Sequence, residues 1–401
     1  MSPFAGLDRG ELAAGLEEAG ADAWLLFDFR ALNPVAQRVL RLGGLGSRRL
    51  FVFFPRDGEP TAVAHRIELQ PLEGFPGRVV PYARWQELHA ALEPLVRGRT
   101  LAMEISPDDA VPYLDRVPFG VVQLLLRLGA KVVPSGPLVS RFAARWNDRE
   151  IREHTQAAEA IAVIARRELS RAVREVGTSE RAVQDRIILA LTEAELVFDH
   201  PPVVAFGPGS AIPHYESGDV RLAAGQVVLI DLWGGRRESV SADQTWMGFA
   251  GADPSDKVRQ VWHTVRAARD AAITAIRSAA REGRSITGAD ADTAARRVVD
   301  QAGFGEWFVH RTGHSIDRDL HGSGPHLDDY ETHDDRRLGP GIGFSVEPGI
   351  YLPGEFGVRS EVNMYWGPDG PVVTPSKPQT ELVTSASTSA STSTGTSMRG
   401  E

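Results

Sequence analysis

Four carboxylates recur at matched places in this 401-residue chain. Asp231 ends the apolar run 227–230, and Glu347 ends an apolar-rich run that follows Leu338-Gly339-Pro340-Gly341. In each half an L-x-x-G turn comes first, and its glycine, Gly225 or Gly341, precedes the acid by six residues. Each acid is followed by a turn, at Gly234-Gly235 or Pro353-Gly354, and then by a second strand-like run with another acid. Asp243 lies in the run 240–249, and Glu361 in the run 358–365. Each half therefore reads as a β-hairpin with one carboxylate per strand. The midpoints, residues 237 and 354, both fall in the turns. Each pair is expected side by side, with Cβ atoms ~5 Å apart.

Such pairs are costly. Like charges across a hairpin destabilise it, and buried unpaired carboxylates do so more, on the order of several kcal/mol for two pairs. Arg359, two residues before Glu361, could satisfy one acid but not four. Two divalent ions bridged by carboxylates would neutralise the set. Any one of these acids alone reads as a solvated strand end; four at repeated positions do not. Hard oxygen donors with one imidazole suit manganese, cobalt, iron or zinc rather than copper.

Histidines are the natural source of that imidazole. Five of the eleven fall within the 24 residues from His310 to His333. The segment 309–316, V-H-R-T-G-H-S-I, spaces His310 and His314 as in a zinc-protease helix. It lacks the Glu of H-E-x-x-H, and Gly313 weakens any helix, so that motif is rejected. His65, His89, His154, His263 and His333, with His200 and His326, read as structural residues.

The elements that must position these groups also repeat. Helical patterns over 149–176 and 179–196 precede the first hairpin, and others over 256–281 and 287–301 precede the second. Thr287 and Asp290 have capping-box spacing. Helix, helix, L-x-x-G, strand and carboxylate thus occur twice, which reads as an internal duplication. Upstream, residues 1–140 alternate strands (23–27, 50–54, 61–64, 100–105, 131–133) with helices (7–19, 85–96, 121–128), an α/β pattern without clustered catalytic residue types. Pro134, Gly136 and Pro137 mark the boundary. A Ser/Thr-rich stretch, 384–401, reads as a disordered tail.

Composition narrows the chemistry. The absence of cysteine excludes disulfides, thiolate zinc sites and cysteine nucleophiles. A net charge of −9 argues against nucleic acid or an anionic membrane as partner. No apolar run approaches the ~20 residues of a membrane span, and residues 1–10 lack signal-peptide character, so a cytoplasmic protein is expected.

The chain resembles the pita-bread metallopeptidases: Xaa-Pro aminopeptidases, prolidases and, more distantly, methionine aminopeptidases. The resemblance rests on A-I-P-H (211–214), L-I-D-L-W (229–233), A-D-Q-T (242–245), G-H-S-I (313–316), V-E-P-G-I-Y (346–351) and V-R-S-E-V (358–362), in that order. D-F-R-A-L-N-P (28–34) is similar to the family's creatinase-type N-terminal domain. The implied architecture is an α/β N-terminal domain, 1–140, plus an α+β pita-bread catalytic domain, 145–382, with an internal pseudo-twofold repeat.

The resemblance implies two divalent metal ions, manganese first, with cobalt, zinc and iron as alternatives. Asp231, His314 and Glu347 would each ligate one ion, and Asp243 and Glu361 would bridge both. A water between the ions would be the nucleophile, and Glu347 would pass its proton to the departing amine. His214, His310 and His321 match substrate-side positions, with His321 stabilising the oxyanion. Arg359 and Thr245 would support the metal carboxylates. Departures, including Gly322 after His321 and Trp246 after Thr245, fall near the substrate, and Trp233 and Trp246 are candidate pocket walls. The implied activity is an Xaa-Pro aminopeptidase acting on peptides, in a homodimer. A prolidase restricted to dipeptides, a metal-free creatinase-like hydrolase and a non-catalytic peptide-binding module are the alternatives.

Overall fold

Strands β1 (Ala23–Asp28) and β2 (Leu50–Pro55) alternate their side chains between two apolar faces, which is why both are buried along most of their length. In the computed structural model, which describes residues 7–41 and 46–387, they sit inside a six-stranded sheet. With β3 (Thr61–His65), β4 (Arg78–Tyr82), β5 (Thr100–Met103) and β6 (Lys131–Pro134) the order is β4-β3-β2-β1-β5-β6. Trp24, Leu26, Val52 and Phe54 pack with α1 (Arg9–Glu18), α2 (Pro34–Leu40) and α5 (Gly136–Phe142). Leu25, Phe27, Phe51 and Phe53 pack with α3 (Trp85–Val96) and α4 (Phe119–Arg127). Strand β4 departs from expectation. Pro81 argues against a strand interior, but β4 is an edge, where a missing N–H costs no ladder bond. Helices α2 and α5, seven residues each, are too short to carry a clear periodicity.

The chain divides into two compact units, Met1–Arg145 and Trp146–Glu401. The second opens with α6 (Asp148–Ala172), capped reciprocally by Asn147 and Glu150, and α7 (Glu180–Glu193). Next come β7 (Val203–Phe206), β8 (Val227–Gly234) and β9 (Ala242–Phe249). The pattern then repeats with α8 (Asp256–Glu282) and α9 (Gly288–Gln301), the latter opened by the expected Thr287–Asp290 capping box. The second set of strands is β10 (Ser315–Ile316), β11 (Gly343–Val346), β12 (Gly349–Leu352), β13 (Phe356–Arg359), β14 (Val362–Gly367) and β15 (Gly370–Thr374). A last short strand, β16 (Val383–Thr384), runs parallel to β9. Thr384, the first residue of the expected tail, is therefore paired, with Phe249; residues 388–401 lie outside the described ones. Among the described residues no helix is long and apolar enough to cross a membrane.

Ile161, Ala165 and Leu169 of α6 and Val183, Ile187 and Leu191 of α7 pack on Val228, Ile230, Leu232, Ala242 and Trp246. Even-numbered residues of β8 and β9 thus face the helices. Odd-numbered ones face the other way.

Candidate metal centre

That other face carries Asp231, Trp233, Asp243 and Thr245. The β8–β9 register sets Asp231 opposite Thr245 and Trp233 opposite Asp243. The two acids are therefore diagonal neighbours, not directly opposed, because the pairing axis falls at residue 238 rather than 237. Thr245 takes the place across from Asp231. Trp246 points into the helix-side core, with its indole N–H on Gln244, so it is no pocket wall.

The second hairpin keeps one register across a break. Val346 pairs with Val362 on one side, and Gly349 with Arg359 on the other. Continuing either ladder sets Glu347 across from Glu361, as the midpoint at 354 predicts. The expected single strand 358–365 is two strands, β13 and β14, with Glu361 in the interruption. Freed from the ladder, Glu347 N donates to Thr312 O at 2.7 Å.

The segment 309–314 is a loop that leads into β10 and is held against β11. A Cβ on Gly313 would stand 2.1 Å from Ser345 O, so only glycine lets the loop come this close. His314 N donates to Ser345 Oγ at 2.9 Å. Helix α9 holds the loop from behind: Asp292 accepts from Thr312 N (2.9 Å) and Oγ1 (2.6 Å), and Arg296 donates to Phe308 O and His310 O.

Together these elements bring Asp243, His314 and Glu361 into one group, with one donor atom from each lying within 4.8 Å of the others. His314 Nε2 lies 3.5 Å from Asp243 Oδ2 and 3.4 Å from Glu347 Oε1. Asp231 joins through shared partners: Arg359 bonds its Oδ2, and Arg359 Nε donates to Thr245 Oγ1 at 2.7 Å. Thr245 in turn lies 2.7 Å from Glu361 Oε2 and 3.2 Å from Asp231 Oδ1.

The donor set fits divalent cations. His314 Nδ1 lies 3.1 Å from Ser315 O, a bond that needs the proton on Nδ1 and leaves a lone pair on Nε2 facing two carboxylates. Glu361 Oε1 is buried without a hydrogen-bond partner. Lone pairs converging from one imidazole and several acids require a positive centre between them. Electrostatics agree. Burial first, and then the neighbouring acids, push Asp243 and Glu361 well above the usual carboxylate range. Burial also raises Asp231 against the pull of Arg359. Burial opposes ionisation of Glu347 too, but His314 and Arg359 outweigh it and lower its pKa. One guanidinium is too little charge for four acids.

Residues 153–366, more than half of the chain, match the metallopeptidase family M24. The chain belongs to that family. It is 29% identical over 341 residues to the probable dipeptidase PepE of Mycobacterium bovis, covering 83% of this chain and 85% of that protein. It is 34% identical over 187 residues to an Xaa-Pro dipeptidase of Lactobacillus delbrueckii, covering 46% of this chain and 48% of the relative. Among solved structures, dipeptidase PepE of Mycobacterium ulcerans superposes with a TM-score of 0.70 at 25% identity, covering 93% of this chain and 96% of that one. The duplicated second unit is thus an M24 pita-bread fold.

The three histidines expected on the substrate side, His214, His310 and His321, fall in different environments. His321 is solvent-exposed, with its ring 4.3 Å from that of His314. The neighbouring His314 imidazole first, and then desolvation, hold the pKa of His321 at about 4, so it is neutral at pH 7. His214 is exposed in the loop after residues 207–211 and acts electrostatically on His321. His310 has both nitrogens engaged: Nδ1 lies 2.7 Å from Arg311 O, and Nε2 2.9 Å from Tyr351 Oη. It offers a ring rather than a free nitrogen. Gly322 packs on Asp317, where a Cβ would be 2.8 Å from Asp317 Cγ.

Sequence reasoning missed three supports. Tyr351 sits in V-E-P-G-I-Y without a role assigned, yet it is buried and links His310 to Arg359. Asn363 clamps Asp243, its Oδ1 accepting from Asp243 N and its Nδ2 donating to Asp243 O. Asp292 acts through Thr312. Only Asn363, two residues beyond Glu361, had a periodicity signal.

Proposed function

We propose that this chain is a dinuclear dipeptidase that hydrolyses Xaa-Pro dipeptides, with Asp231, Asp243, His314, Glu347 and Glu361 holding two divalent ions, manganese first. The observation that carries the metal reading is His314 Nε2 facing Asp243 and Glu347 beside an unpartnered Glu361 Oε1. The dipeptidase form is preferred to the aminopeptidase form because the relatives matched above are named dipeptidases. Such ions supply Lewis acidity and a nucleophilic water at neutral pH.

The side chains do the rest. Glu347, its Oε1 accepting from Ser345 Oγ at 2.9 Å, takes the proton of the attacking water and passes it to the departing amine. Neutral His321 donates to the oxygen of the scissile carbonyl as charge develops there. His310, held by Arg311 O and Tyr351, lends its ring to the proline side of the substrate. An Xaa-Pro bond has no N–H, so a site that demands no backbone donor there suits it. A homodimer belongs to this reading by resemblance to the family, and light scattering checks it.

The deciding experiment compares matched Xaa-Pro dipeptides and Xaa-Pro-Xaa tripeptides. A dipeptidase cuts the dipeptides with kcat/KM at least ~10-fold higher, about 1.4 kcal/mol in transition-state binding. Equal or faster cleavage of tripeptides restores the aminopeptidase form.

A further inference from the structure

The segment 198–202, F-D-H-P-P, is longer than the strand it covers. Val197 bridges to Gly235 and Val203 pairs with Asp231, so five residues span what three, 232–234, span on β8. The two extra residues bulge, and two consecutive prolines stiffen the bulge. Phe198 anchors it in the core with α6 and α7. Asp199 is left above the site face of β8, where its Oδ1 accepts from Trp233 Nε1 at 2.8 Å.

Trp233 is half-buried on that face, directly across from Asp243 and two residues from Asp231. Two residues along a strand are about 7 Å, which an extended lysine or arginine side chain spans. The Asp199 side chain is 62% exposed, and its neighbour is the still more open His200, at 3.4 Å. Burial opposes it, but the indole N–H, its own backbone bond and His200 keep its pKa below the usual value. The nearby Arg236 is already bonded to Glu195. A carboxylate beside an indole is a place for a cation, which gains an ion pair and a cation–π contact together.

We infer that Asp199 and Trp233 form a subsite for a cationic side chain on the first residue of the substrate, so that lysyl and arginyl dipeptides are preferred. This rests on the dipeptidase reading. Glu347 hands its proton to the departing amine, so the second residue lies on the Glu347–His321 side. The first residue then lies on the Asp231–Asp243 side, next to Trp233.

The test measures kcat/KM for Arg-Pro and Lys-Pro against neutral citrullyl-Pro and norleucyl-Pro, and for the same four first residues before alanine. Wild type is expected to favour the cationic member of each pair ~10-fold, and Asp199→Asn to bring that ratio within about 2-fold. Trp233→Leu should lower it by about 3-fold or more. A wild-type ratio near one, or a ratio that survives Asp199→Asn, overturns the subsite. So does a uniform loss that leaves the ratio unchanged, which would place Asp199 at the α-ammonium or in loop support. A loss of proline preference with the ratio intact removes only the proline assignment. If no dipeptide is turned over, the dipeptidase reading falls, and calorimetric Kd values for the same peptides give the ratio instead.

Discussion

Glu347 and Glu361 face each other where their hairpin stops pairing, between the Val346–Val362 and Gly349–Arg359 pairs. A continuous ladder would hold both acids in line and leave their charges opposed. The break instead lets Glu347 bond the histidine loop through Thr312 O, while Glu361 turns to Thr245. The first hairpin supplies the same pair of charges without a break, by setting Asp231 and Asp243 on a diagonal.

Removing metal should make stability depend on pH in a definite direction. Asp243 and Glu361 have folded-state pKa values well above their unfolded ones, so the empty site binds protons that the unfolded chain does not. Their contribution is complete below about pH 4 and is lost as pH rises through the folded values. Chelated protein should therefore lose Tm between pH 5 and 8 relative to metal-loaded protein. A gap in Tm that stays constant over this range would contradict the cluster as drawn.

Tyr351→Phe removes the hydroxyl that holds His310 Nε2. Loss of such an outer partner typically costs 10–100-fold in activity or metal affinity. The larger effect is expected in kcat, with metal content retained, because the hydroxyl bonds His310 and Arg359 rather than a carboxylate of the cluster. Metal analysis alongside steady-state kinetics separates the two.

For His321→Ala the expectation is a kcat lower by ~10²–10³-fold at nearly unchanged metal content, the usual cost of one oxyanion donor. Parallel loss of metal and activity would make His321 a ligand instead.

His154 is fully buried between Ser241 O and Thr374 Oγ1 and stacked near Trp146, and burial drives its pKa down to about 4. The unfolded chain titrates near 6.5, so the folded state binds fewer protons between the two values. Stability is complete above about pH 6.5 and falls towards pH 4, by about 3 kcal/mol at most. In His154→Gln the acid slope of stability in denaturant titrations should flatten, although the variant starts less stable.

The metal-type residues were legible because their spacing repeats, and repetition shows in one sequence. The midpoint argument placed Glu347 opposite Glu361 but missed Asp231–Asp243 by one residue, since turn geometry sets that register. Trp246, a candidate pocket wall although a Trp on a buried strand is more often core, lies in the helix-side core, because alternation along β9 puts it on the face opposite Asp243. The grip of Asp292 on Thr312 and the bulge at Asp199 join residues far apart in sequence or depend on strand pairing, so no local pattern announces them. In the first unit, β4 hid behind Pro81, because edge position is a tertiary property.

Metal content and turnover measured together on Asp243→Asn and Glu361→Gln test the dinuclear site most directly. Wild type should carry close to two ions per chain, and each variant should lose metal and Xaa-Pro hydrolysis in step, because each of these acids is proposed to bridge both ions. Either variant cleaving dipeptides near the wild-type rate would contradict the ligand assignment.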